Sequence, residues 1–140
     1  MSDIIDVTAA ILIKERTVLI AQRPINDQLA GYWEFPGGKI EHGEQPEECL
    51  AREMREEFSI NIEVREFFGS SYFEYQDKKI RLLAYLCKWM EGQMQSTSHE
   101  SYVWATSQDL ETYNFASADI PLVGCLMRDF DDICARFETW

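Results

Sequence analysis

Two runs near the N-terminus are apolar without clear alternation. Val7–Ile13 reads VTAAILI and Thr17–Arg23 reads TVLIAQR, with the polar KER between them. Runs of this length, rich in β-branched residues and bounded by polar ones, predict buried strands joined as a hairpin. The following stretch, PINDQLAGYWEFPGG, is rich in Pro, Gly, Asn and Asp and predicts a loop.

At Pro46 the period changes. Cys49, Leu50, Met54 and Phe58 recur at helical spacing and predict a helix with these side chains toward the core. Pro46 suits the first turn, where its missing N–H costs nothing. Glu47 and Glu48 suit the positive end of the helix dipole. IEVREFFGSSYFEY and KIRLLAYLCKWM then predict strands, with QDKK as the turn between them, and SYVWAT predicts a short strand. In the tail, Ile120, Val123, Met127, Phe130, Cys134 and Phe137 lie three or four apart and predict an amphipathic helix. No repeat, low-complexity segment or linker breaks the chain, so residues 1–140 are expected to form one domain.

Charge narrows the partners. The chain has 25 acidic residues against 13 basic ones, a formal charge of -12. Such a surface repels polynucleotide backbones and anionic membranes, so neither is expected as a partner. A small phosphorylated ligand would need metal ions or a local basic pocket. Cys49, Cys87, Cys125 and Cys134 form no C-x-x-C pair, and His42 and His99 join no cysteine cluster, which argues against zinc. MSDIIDVTAA lacks the basic and apolar regions of a signal peptide, and no apolar run reaches transmembrane length. A reduced, cytoplasmic protein is expected, as a monomer or homodimer.

The chemistry concentrates in GGKIEHGEQPEECLAREMREEFSI, residues 37–60. Glu53, Glu56 and Glu57 stand at i, i+3 and i+4, neighbours on one helix face. Like charges at that spacing weaken a bare helix by roughly a few tenths of a kcal/mol per pair. Together they offer hard oxygen ligands suited to Mg²⁺ or Mn²⁺. The plainer reading is a solvated face balanced by Arg52 and Arg55. Gly37 and Gly38 just upstream allow close backbone approach to a ligand, and Lys39 and Arg23 can supply cations to phosphate.

Gly38, Glu44, Arg52, Glu53, Met54, Glu56, Glu57 and Ile60 fall in the register of the Nudix box, so the segment resembles the signature of the Nudix hydrolases. Ser59 stands where that signature has its second glycine. AQRP, LAGYWEFPGGKIE and FASADIP extend the likeness to the MutT branch and its cytidine-triphosphate-type relatives, over nearly the whole chain. The resemblance implies an α/β fold, an α/β/α sandwich around a mixed β-sheet. It implies a divalent ion, Mg²⁺ with Mn²⁺ as substitute, held by Glu53, Glu56 and Glu57 beside the backbone of Gly37 and Gly38. It implies that Glu53 is the general base, taking a proton from water whose pKa the ion lowers. It implies that Arg52 orients the box glutamates with Glu44 as its partner, and that Lys39 lies beside the phosphates.

The family also draws a metal carboxylate from the loop before the last core strand, about six residues before a tryptophan. Counted from Trp104 that position is Ser98; either Glu100 reaches the metal or water replaces the ligand. His99 reads as a loop residue. Arg23 and Glu34 match positions lining the nucleotide pocket, and Phe35 offers an aromatic wall. Asp119 falls where MutT carries a base-reading asparagine. Ionised, it would favour an exocyclic amine; protonated in a dry pocket it could also donate and admit an oxidised guanine; or it could cap the helix before Pro121. The strand holding Leu83 and Tyr85 is a further source of base selectivity.

The resemblance therefore implies hydrolysis of nucleoside triphosphates to monophosphate and pyrophosphate, with 8-oxo-dGTP as first candidate and CTP or 5-methyl-dCTP as alternative. A nucleotide-sensing, non-catalytic Nudix module is the reading of another class. Such modules usually lose box glutamates, and this chain keeps them.

Overall fold

The computed structural model describes residues 3–24, 29–96, 99 and 101–137. Its elements are β1 (Ile4–Lys14), β2 (Thr17–Gln22), β3 (Trp33–Glu34), α1 (Pro46–Phe58), β4 (Asn61–Tyr75), β5 (Lys78–Glu91), β6 (Ser101–Ala105), a 3₁₀ turn at Leu110–Thr112 and α2 (Ile120–Phe137). The sheet is mixed. β1 runs parallel to β5, from Ile4 opposite Lys79 to Leu12 opposite Cys87, and β5 pairs antiparallel with β4. Both tight hairpins turn on two residues with positive φ, Glu15–Arg16 and Gln76–Asp77, as type I′ geometry demands.

The helices cover opposite faces. Ala10, Leu12, Leu19 and Ala21 pack with Leu50, Met54 and Phe58 of α1. Ala9, Ile11, Ile13, Val18 and Ile20 pack with Leu122, Leu126, Phe130 and Ile133 of α2. β1 and β2 are thus buried on both sides, which explains their apolar runs without alternation.

β1 and β2 pair only at the hairpin mouth, at Ile13–Val18 and Lys14–Thr17. Beyond it they splay, and residues 33–40 fill the gap. Trp33 and Glu34 pair with Gln22 and Ala21 as β3. On the other side, the Ala10 N–H donates to the Pro36 carbonyl at 2.7 Å and the Thr8 N–H to the Gly38 carbonyl at 2.8 Å. The stretch expected as one loop therefore contains a short strand and a backbone splice. Its turn-rich composition hid this, because the order comes from pairing with β1 and β2 and not from local propensity.

The tail helix forms, but its buried stripe is shifted. Leu122, Val123, Leu126, Phe130, Ile133 and Cys134 are buried, whereas Ile120, expected in that stripe, is 56% exposed at the first turn. Among the described residues, no helix is long and apolar enough to cross a membrane.

In α1, Pro46 opens the first turn, and the Gln45 N–H donates to Glu48 Oε1 at 2.9 Å. Ser59 closes it in the left-handed region, φ 60° and ψ 31°, where a Cβ is penalised and glycine is not. Ser59→Gly is expected to stabilise the fold by about 1 kcal/mol, a rise of about 4 °C in Tm for a domain of this size. Thermal unfolding of the two proteins would check it, and an unchanged or lowered Tm would remove the strain argument.

Candidate active site

Burying Cys49, Leu50, Met54 and Phe58 sets the charged face of α1 at the edge of the core, beside the splice, where Cys49 Sγ lies 3.5 Å from the Gly38 carbonyl. There Arg52 gathers the acids. Its Nε and Nη2 donate to the two oxygens of Glu44 at 2.6 and 3.1 Å. Its Nη1 donates to Glu53 Oε1 at 2.9 Å and to Glu56 Oε2 at 3.3 Å. Its Nη2 also reaches the Lys39 carbonyl at 3.3 Å. The Arg52 guanidinium holds the Glu44 carboxyl down to about 2, and the acids raise Arg52 in return.

The Gly37–Gly38 loop lies between β1 and this cluster. A Cβ at Gly37 would run into the Thr8 carbonyl, and one at Gly38 into the Glu53 carboxyl. Thr8, 1% exposed, locks the loop. Its hydroxyl donates to the Gly38 carbonyl at 3.1 Å and lies 3.3 Å from Cys49 Sγ.

Two cavities meet here. The smaller, about 290 Å³, is lined by Gly37, Gly38, Glu53, Glu57 and His99 among others. The larger, about 590 Å³, is lined by Tyr32, Phe73, Tyr75, Ile80 and Ser117 among others. Val7, Arg23, Glu34, Leu82 and Asp119 border both. A third cavity, about 450 Å³ near Lys14, Arg16 and Trp89, holds none of the catalytic, metal-binding or substrate-binding residues expected from the sequence.

Glu53, Glu57, Arg23, Glu34, Gly37, Gly38 and Asp119 are thus brought together. Glu56 is not; its side chain is 61% exposed and turned to Arg52. Accordingly, no three His, Cys, Asp or Glu side chains among the described residues converge as a ready metal cage. Lys39 supplies its carbonyl, while its side chain is exposed and borders neither cavity. Glu100 and Ser98 lie outside the described residues.

Phe35 borders the smaller cavity but is 3% exposed, its ring tilted on Phe115 at 5.7 Å. The aromatic rings around the larger cavity are Tyr32, Phe73 and Tyr75. On β5, Leu82 borders the cavities; Leu83 and Tyr85 have the opposite parity in the strand and do not. The Asp119 side chain accepts from the Phe35 N–H at 3.1 Å, so its observed bond reaches across to the splice and not to its own helix. Burial, and then the charge of Glu34, pushes its carboxyl well above the usual range.

His99, read from sequence as a loop residue, is in the site. A lone histidine carries no spacing signal; only folding brings it against α1. Its Nε2 lies 3.0 Å from Glu34 Oε2, and its ring stacks on Phe58 at 5.5 Å.

The Glu57 carboxyl is pushed up to about 9, by burial first and then by its hydrogen bond to Glu53. Its folded value lies above its ordinary 4.5, so the folded chain keeps a proton that the unfolded chain has lost. The stability contributed by this neutral group is complete below about pH 4.5 and is lost as pH rises through about 9. In metal-free buffer, wild-type Tm is expected to fall more steeply than that of Glu57→Gln between about pH 5 and about pH 9. Parallel curves would refute the assignment.

Comparison with known proteins agrees with the fold. The family profile described as NUDIX domain matches residues 8–124. The CTP pyrophosphohydrolase of Escherichia coli strain K12 is 38% identical over 123 residues, covering 88% of this chain and 91% of that one. The 8-oxo-dGTP diphosphatase of the same strain is 32% identical over 111 residues, covering 79% and 86%. The solution structure of the E. coli ORF135 protein superposes with a TM-score of 0.80 at 36% identity, covering 91% of each chain. The profile match over most of its length, the box in register and the shared fold place this chain in the Nudix hydrolase family.

Proposed function

We propose that the protein is a Mg²⁺-dependent nucleoside triphosphate pyrophosphatase, with 8-oxo-dGTP as its principal substrate in clearing damaged nucleotides from the cytoplasmic pool. Residues 1–140 act as one Nudix domain, monomeric or homodimeric, on a small-molecule nucleotide. The observation that carries this reading is the pair of joined cavities, one bordered by carboxylates and a glycine loop, the other by aromatic rings. A triphosphate fits the first and a base the second.

A divalent ion fits the donor set. Burial first, and then the neighbouring Glu53, make Glu57 keep a proton, a cost that an added cation relieves. Glu53 and Glu57 would hold it beside the Gly37 backbone; the resemblance adds Glu56, which would have to leave Arg52, and either Glu100 or water as the further ligand. When bound, Mg²⁺ (or Mn²⁺) neutralises phosphate charge and acidifies water. Arg52, fixed by Glu44, orients Glu53 and Glu56. Glu53 takes the proton as water adds to the β-phosphorus; the bond to the α-side bridging oxygen breaks, leaving nucleoside monophosphate and pyrophosphate. Gly38 flanks the phosphates, whereas the Lys39 side chain borders neither cavity.

Arg23, Glu34, Phe35 and Asp119 define the base end. Asp119 Oδ1 is engaged by the Phe35 N–H, leaving Oδ2 for the base. A neutral Asp119 both donates and accepts, which suits an oxidised guanine. The same pair of groups can meet the N3 and amine of cytosine. Hydrolysis of CTP or 5-methyl-dCTP is therefore the second reading, supported by the 38% identity to the E. coli CTP pyrophosphohydrolase.

Three outcomes are expected. Excess EDTA abolishes pyrophosphate release and Mg²⁺ restores it; turnover in EDTA would end the metal-dependent reading. Glu53→Gln folds with near wild-type KM but loses about 10²-fold or more in kcat, and ¹⁸O from labelled water appears in the pyrophosphate; label in the monophosphate would reject attack at the β-phosphorus. Asp119→Asn, a mimic of the neutral acid, keeps kcat/KM for 8-oxo-dGTP within about threefold, whereas Asp119→Ala loses about tenfold, roughly 1.4 kcal/mol. Measuring kcat/KM for 8-oxo-dGTP, dGTP, CTP and 5-methyl-dCTP on each variant ranks the two substrate readings.

A further inference from the structure

We propose that His99 is a positioning residue for nucleotide binding, fixing the Glu34–Arg23 pair to the carboxylate face of α1. The inference rests on the nucleotide-hydrolase reading for the meaning of that pair. Glu34 is held at both oxygens. Arg23 Nη1 donates to Oε1 at 2.7 Å, and His99 Nε2 stands 3.0 Å from Oε2. A carboxylate gripped at one oxygen can rotate about its terminal torsion, which is broad; gripped at both, it presents one plane. Since an ion-paired carboxylate only accepts hydrogen bonds, Nε2 is the nitrogen that carries the hydrogen.

The imidazole is itself placed with little freedom. Its side chain is 5% exposed. The ring lies nearly parallel to Phe58, 13° between planes, and Phe58 is the fully buried last residue of α1. Its other nitrogen, Nδ1, is buried, has no hydrogen-bond partner among the described residues and lies 3.8 Å from Glu57 Oε2. That is beyond hydrogen-bond range but on the side of the box glutamates. His99 therefore spans the shared wall of the two cavities: Glu34 and Arg23 border both, and Glu57 borders the smaller. Its bond to Glu34 transmits the position of α1 to the residues beside the base. Its contacts run to Phe58, Glu34 and Glu57, and no hydrogen bond or ion pair among the described residues joins it to Arg52 or Glu53. The expected signature is therefore weaker nucleotide binding with preserved turnover.

Two substitutions separate the bond from the packing. His99→Phe keeps a ring on Phe58 and removes both nitrogens. His99→Gln returns an amide donor toward Glu34 without the ring. His99→Phe is expected to raise KM for 8-oxo-dGTP and CTP about tenfold, leaving kcat within about threefold. It should also raise the Kd of the nucleoside monophosphates, measured by calorimetry in EDTA, by a similar factor. His99→Gln should bring both back to within about threefold of wild type. A Phe variant with unchanged KM and Kd, or a Gln variant no better than Phe, overturns the proposal. If the Phe variant does not fold, long-range ¹H–¹⁵N spectra of the wild-type imidazole decide: a protonated Nε2 sustains the proposal and a bare Nε2 overturns it. Should wild type hydrolyse no triphosphate, the parent reading fails, while the imidazole spectrum still judges the contact.

Discussion

The site depends on the parting of β1 from β2. A hairpin that stayed zipped would leave no edge for residues 33–40. Because it opens beyond Ile13 and Val18, β1 can bond Pro36 and Gly38 while β2 bonds Trp33 and Glu34. The inserted segment is therefore held from both sides by backbone bonds, which ask little of side-chain identity. Only where the chain must come closest does composition become strict: at Gly37, against the Thr8 carbonyl, and at Gly38, against Glu53.

Arg52 is the second constraint, and it acts through charge. Three glutamates on one helix face repel one another, and a single guanidinium contacts two of them along with Glu44. The planar fork makes this possible; an ammonium would offer a point charge without the paired geometry that grips Glu44 at both oxygens. Glu44 in turn anchors the segment before α1, since its carboxylate also accepts from the Glu41 N–H at 3.0 Å. The loop and the helix are thus stitched together around one cation. Glu57, partly buried beside Glu53, has a raised proton affinity, from burial first and from its acidic neighbour second.

Much of this was legible in residue order, for identifiable reasons. The box residues occupy one stretch, so their spacing is their geometry, and the buried stripe of α1 follows from the period. β1 and β2 announce themselves because burial on both faces leaves their central positions, Ala9–Ile13 and Val18–Ala21, apolar without alternation. Other features depend on partners distant in sequence. Trp33–Glu34 becomes a strand only because β2 offers an edge. Leu82 replaces Leu83 and Tyr85 at the cavities because facing is decided by register with β1, not by hydrophobicity. Ile120 is exposed because the helix starts there, a turn before the stripe meets the sheet. His99 enters the site through tertiary contact with Phe58 and Glu34, and nothing in its local sequence marks it.

The parallel pairing of β1 with β5 carries a consequence for how the molecule comes into being. Parallel neighbours cannot be joined by a tight turn, and here the whole of β2, β3, α1 and β4 lies between them. The β1 edge that faces β5 must wait until β5 has been synthesised, while the opposite edge, with its hairpin and splice, can form from local chain. Contacts that close so long a loop slow folding, and an open, apolar β1 edge during that interval is a place for two nascent chains to pair wrongly. Yield from the ribosome should therefore be governed by the rate at which β5 finds β1, a step remote in the sequence from every residue that touches phosphate.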